Sequence, residues 1–91
     1  MSNYSLSKQP REVMLELAYR LRRIRKAKKW SQAELADRSG VSLGSLKRFE
    51  TKGEISILSL LKLAHTLGRL EEFDDLFQPT AKGDLNKLFS S

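Results

Sequence analysis

The chain has no cysteine, which excludes disulfide staples, thiolate nucleophiles and cysteine-ligated zinc together, and fits a reducing cytoplasm. It has one histidine, His65, set in an apolar stretch. A lone imidazole without cysteines or nearby carboxylates cannot assemble a metal site, so a packing or hydrogen-bonding role is expected. Long apolar runs are also missing; the longest are of the kind of Leu60-Leu61, too short to span a membrane. The opening Met1-Ser2-Asn3-Tyr4 lacks the basic-then-apolar layout of a secretory signal. There is no phosphate-binding glycine loop, because neither Gly40 nor Gly44 precedes a Lys-Ser/Thr pair. Ser31, Ser42, Ser45 and Ser56 lack a plausible base and orienting acid. Glu71, Glu72, Asp74 and Asp75 read as a solvated or partner-facing surface rather than an acid–base pair. No enzyme and no cofactor are expected.

What is present is charge, unevenly placed. The 91 residues are 31% charged and 40% hydrophobic, enough for one small domain with a thin core that dimerisation would extend. The net charge is +6. Residues 1–52 hold 13 Lys/Arg against 5 Asp/Glu, a balance of +8, whereas residues 53–91 hold 4 against 6, a balance of −2. A basic half facing a polyanion, most often nucleic acid, is the leading physical reason for such a split. An anionic membrane surface fits less well, because the basic segment hides its apolar stripe in a bundle.

The pattern along the chain is helical throughout. Pro10 opens a helix with Ser7 as an upstream cap, and Val13, Leu17, Leu21 and Ile24 form its apolar stripe to about Lys28. Seven cations lie between Arg20 and Lys29, off that stripe. They point in several directions, so only part of them can reach one duplex. Trp30 is expected to pack at the following junction. Ser31-Gln32-Ala33-Glu34 has capping-box spacing, and Gly40 ends that helix. Ser42 caps the next helix, which Thr51-Lys52-Gly53 breaks, and Gly44 within it implies close approach to the backbone. Ser56 caps a fourth helix whose leucines occupy more than one side, which predicts a central place in the bundle. Leu70–Phe77 forms an acidic fifth helix, Pro79 and Gly83 mark a hinge, and Leu85, Leu88 and Phe89 make a last apolar triplet.

Two short helices joined around Gly40-Val41 form a helix-turn-helix. Ala36 allows a close crossing, Gly40 supplies the bend, and Val41 and Leu46 pin the second helix. Its other face then carries short residues first and long cations after, a shape suited to a major groove about 12 Å wide. The ordered set Ser31-Gln32-Ala33-Glu34-Leu35-Ala36, Ser39-Gly40-Val41-Ser42 and Leu46-Lys47-Arg48-Phe49-Glu50 resembles the Cro/C1 (Xre-type) helix-turn-helix family over about residues 18–68. The resemblance implies an all-α, five-helix bundle of the lambda-repressor-like DNA-binding type with short arms at both ends. The implied layout is an arm at 1–9, a DNA-binding domain at 10–77 and a tail at 78–91 for dimer or partner contact. It also implies a phosphate contact at Gln32 and base reading at Leu43, Gly44, Ser45 and Lys47. Leu43 and Gly44 depart from the polar residues common at those positions, and Leu43 suits a thymine methyl instead. Ser42, Arg48 and Lys52 complete the expected DNA-binding set. Glu50, matching the family's acidic residue at the end of the recognition helix, is expected to pair with Arg20 or Arg23.

The stretch from Gly40 through Gly53-Glu54-Ile55-Ser56 to Leu76-Phe77 further resembles small regulators of the HipB type. That implies a homodimer on a double-stranded DNA operator, repression of its own operon and a HipA-like toxin partner. The competing reading is an adaptor that neutralises a protein partner, with DNA binding secondary; the acidic last helix and the surplus basic faces motivate it.

Overall fold

A computed structural model describes residues 8–79, and the expected cap at Ser7, most of the 1–9 arm and the Leu85-Leu88-Phe89 triplet lie outside them. Among the described residues there are four α-helices and one 3-10 helix, with no strand, which is the expected all-α bundle. Helix α1 spans Pro10–Ala27, α2 Gln32–Ser39, α3 Leu43–Lys52 and α4 Ile57–Thr66, and the 3-10 helix covers Leu70–Asp75.

Local chemistry sets most boundaries. At the start of α1 the Glu12 carboxylate accepts the Gln9 N–H at 2.9 Å, and Pro10 sits where a missing N–H costs nothing. The side-chain hydroxyls of Ser31, Ser42 and Ser56 accept the N–H three residues on, from Glu34, Ser45 and Ser59, at 3.0–3.1 Å. The capping box predicted at Ser31 is only half made, because the Glu34 carboxylate turns to Arg38 instead. Gly40 and Gly53 end α2 and α3 with φ of 77° and 74°, the left-handed geometry that lets a helix stop sharply.

Packing follows one apolar centre. Ala18, Leu35, Ala36, Val41, Leu46, Phe49, Leu63 and Leu67 form the buried cluster, edged by Leu17, Leu21, Ile24, Trp30, Ile55 and Leu60. Burying Phe49 or one of these leucines contributes roughly 1.5–3 kcal/mol each. Helix α1 packs on α3, α2 packs on both α3 and α4, and the 3-10 helix rests on α4.

On α1, Leu17, Leu21 and Ile24 of the expected stripe pack on the core beside the buried Ala18 and Arg25, whereas Val13 is 41% exposed and leaves it. Helix α4 is not central, since Ile57 and Leu58 are 74% and 63% exposed and only its Leu63-Ala64 side meets the core. His65 lies on that open side and is exposed, so it packs against nothing that would bury it. The fifth helix is also shorter than predicted, ending at Asp75 with Leu76 and Phe77 outside it.

Candidate nucleic-acid interface

The turn between α2 and α3 is built from short side chains and one glycine. The Gly40 N–H donates to the Ala36 carbonyl at 3.0 Å, and the Val41 N–H donates to the Ser39 hydroxyl at 3.1 Å. Val41 and Leu46 are buried and hold α3 at its angle. The opposite face of α3 is therefore forced outward.

Gly44, Lys47, Arg48 and Thr51 share that face at helical spacing and are all exposed. Ser42, Leu43, Ser45 and Lys52 flank it and are exposed too. A Cβ built at Gly44 meets nothing within 4 Å, so the protein's own packing does not require a glycine there. The Ser42 hydroxyl caps the helix and donates to the Ser45 hydroxyl at 2.9 Å, which leaves Ser45 a proton of its own to donate. Thr51 donates its hydroxyl back to the Lys47 carbonyl. Lys47 has no ion-pair partner among the described residues, whereas the Arg48 guanidinium donates to Glu54 at 2.7 Å.

The first turn of α2 borders this face. The Gln32 amide donates to a Glu50 oxygen at 2.8 Å, and the Arg25 guanidinium grips both Glu50 oxygens at 2.8 and 3.0 Å. Arg25 also donates to the Trp30 carbonyl at 2.7 Å, fixing the α1–α2 junction. Trp30 is half-buried, with Arg38 stacked 4.4 Å from its ring centroid. The predicted partners of Glu50 are thus replaced. Arg20 lies 3.8 Å from Glu16 on its own helix, and Arg23 stands over the Tyr19 ring. Both point away from α3, while Arg25 points at it.

Arg22, Arg25, Gln32, Glu50 and Thr51 line one cleft of about 390 Å³ between α1, α2 and α3. Arg22 comes within 4.0 Å of Glu50 and is half-exposed, which sets a free-ended cation beside Gln32. In the sequence Arg22 is one of seven cations in the basic run, with nothing of its own that marks it for this site. Its spacing of three from Arg25 was the available signal, and it becomes informative only once Arg25 is known to be inward.

The fold and its exposed α3 face define a helix-turn-helix DNA-binding module. A model of the helix-turn-helix family matches residues 21–73, more than half of the chain. No curated protein and no solved structure matches it. The chain belongs to the Cro/C1-type helix-turn-helix family, with the lambda-repressor-like fold, and is a DNA-binding transcription regulator.

Proposed function

We propose that the protein is a homodimeric, sequence-specific repressor that binds a double-stranded operator through α3. The observation that carries this reading is the contiguous exposed face formed by Gly44, Lys47, Arg48 and Thr51, with Lys52 on its flank and Gln32 and Arg22 at its edge. In this reading Ser42, Leu43, Gly44, Ser45 and Lys47 set base preference. Gln32, Arg48 and Lys52 hold phosphates or bases. A two-fold dimer then matches a palindromic operator with half-sites about 34–36 Å apart.

Selection of bound duplexes from a random pool tests groove reading and half-site symmetry together. A palindromic consensus is the expected result, and Lys47→Ala should weaken binding to it by about 1–3 kcal/mol. A pool that stays random, or a variant that binds within twofold of wild type, overturns the assignment of α3. With roughly 6–10 phosphates neutralised per dimer, log K should fall with log salt at a slope of about −5 to −9.

The resemblance to HipB-type regulators extends the proposal to control of its own operon as the antitoxin of a HipA-like toxin. Co-purification from the native operon tests that extension: a kinase-like neighbour retained at one-to-one stoichiometry supports it, and a single-component preparation removes it.

A further inference from the structure

Arg20 and Arg22 stand two residues apart on α1, so they lie about 200° apart around its axis and serve opposite sides. Arg22 looks into the Gln32 cleft beside α3. Arg20, Arg23, Ile24 and Ala27 recur at spacings of three, four and seven, which places them on one other face. There they join Arg69, from the loop after α4, around a shallow depression of about 360 Å³ with Ile24 and Ala27 as its apolar floor. This surface is basic and does not border the α3 face. The operator proposal gives it nothing to do.

A second unassigned feature has the matching chemistry. At the end of the 3-10 helix and just beyond it the chain presents Asp74, Asp75, Leu76 and Phe77, all exposed. Phe77 is 99% exposed and Leu76 54%, and Phe77 stands at φ 59°, a backbone conformation bulky residues rarely adopt. A fully presented phenyl ring beside two carboxylates needs a site with an apolar floor and a cationic rim. Among the described residues the ring touches no such site, since it is 99% exposed.

We propose that the Asp74–Phe77 segment of a second copy docks in the depression framed by Arg20, Arg23 and Arg69, each protomer giving its segment and receiving the other's. The inference rests on the homodimer reading and specifies its contact surface. The phenyl ring covers Ile24 and Ala27, and Asp74 and Asp75 meet the guanidinium rim. The rim's present partners, Glu16 to Arg20 and Glu72 to Arg69, are solvent-exposed ion pairs that exchange readily for other carboxylates. The contact lies on the flank of α1 away from Gln32, so it leaves the α3 face clear for DNA.

Charge reversal tests this by sedimentation equilibrium of the full chain at micromolar concentration. Arg20→Glu with Arg23→Glu makes the rim acidic, and Asp74→Arg with Asp75→Arg makes the segment basic. Each double variant alone should dimerise at least about tenfold more weakly than wild type, because like charges then face each other. An equimolar mixture should restore a one-to-one heterodimer, since both of its contacts are again complementary. All four positions are exposed, so the fold should persist by far-UV circular dichroism. Phe77→Ser should weaken the wild-type dimer without changing the thermal midpoint of a dilute, monomeric sample. If the wild type dimerises but either double variant dimerises equally well, or the mixture stays monomeric, this contact is wrong and the homodimer reading survives. A wild type that stays monomeric at these concentrations overturns both.

Discussion

Arg25 of α1 and Glu50 of α3 form a two-pronged ion pair, with side chains only 7% and 4% exposed. It is the only buried charge among the described core residues, and it joins the scaffold helix to the far end of the DNA-facing helix. Glu50 also accepts from Gln32 at 2.8 Å, so one carboxylate ties together α1, α2 and α3. Every polar side-chain atom buried among the described residues has a partner. Removing one member of such a pair strands a charge, whereas removing both does not.

Glu50→Ala should therefore destabilise the fold by about 3–5 kcal/mol, measured by urea unfolding at neutral pH. The double change Arg25→Met with Glu50→Leu should recover most of that loss. It should not recover DNA binding to the same degree, because Gln32 then loses the oxygen that orients its amide. A double variant as unstable as the single would show that packing, not the stranded charge, sets the cost.

Gly44→Ala should separate stability from function. The new methyl meets nothing within 4 Å, and at this second position of α3 alanine should gain up to about 1 kcal/mol, the difference seen in a helix interior, so the thermal midpoint should rise. Operator affinity should fall about tenfold if the duplex approaches the α3 backbone at this point, a loss of about 1.4 kcal/mol. Affinity that rises along with stability would mean that the groove wall stands off from Gly44.

Gly53 and Gly40 both hold φ near 75°, yet alanine should not cost the same at each. At Gly40 the added methyl has open space, leaving a conformational cost of about 1–2 kcal/mol. At Gly53 it would lie 2.9 Å from the Met14 carbonyl carbon, where α1 presses on the end of α3. Backbone cannot yield as a side chain can, so Gly53→Ala should cost more than Gly40→Ala in parallel denaturant titrations. Equal losses would show that α1 can move aside.

The α2–turn–α3 unit was legible in the sequence because its determinants are local: Ser31 and Ser42 cap, and Gly40 bends. The place of Arg25 was not, since an arginine inside a run of seven cations reads as surface until a carboxylate 25 residues away is found facing it. The same blindness sent Glu50 to Arg20 or Arg23, which belong to the other flank of α1. Hydrophobic pattern also misplaced α4. Ile57 and Leu58 carry the mark of a buried side, but pattern records only that a face is apolar and not whether this chain supplies its cover. Among the site residues, exposure at Ser45 and Lys47 followed from their phase relative to Leu46 and Phe49. The tether on Arg48 had no sequence signal beyond a glutamate just past the helix end.

That tether yields the last prediction. Arg48 stands on the outward face of α3, yet its guanidinium is held by Glu54, on the short loop that follows Gly53. A guanidinium already facing a carboxylate brings less net charge to a phosphate than a free one, although its remaining N–H groups can still donate. Glu54→Gln keeps the shape of the loop and removes the charge. Each protomer should then neutralise about one more phosphate, so the slope of log K against log salt should steepen by about 0.9 per protomer on any duplex. Affinity for random DNA and for the selected operator should rise by about the same factor, leaving the ratio between them nearly unchanged. The pair is exposed and worth at most about 1 kcal/mol, so stability should hardly change. Parallel titrations of operator and random duplex at several salt concentrations measure both quantities. An unchanged slope would mean that Arg48 stays on its own side of the interface when DNA is bound.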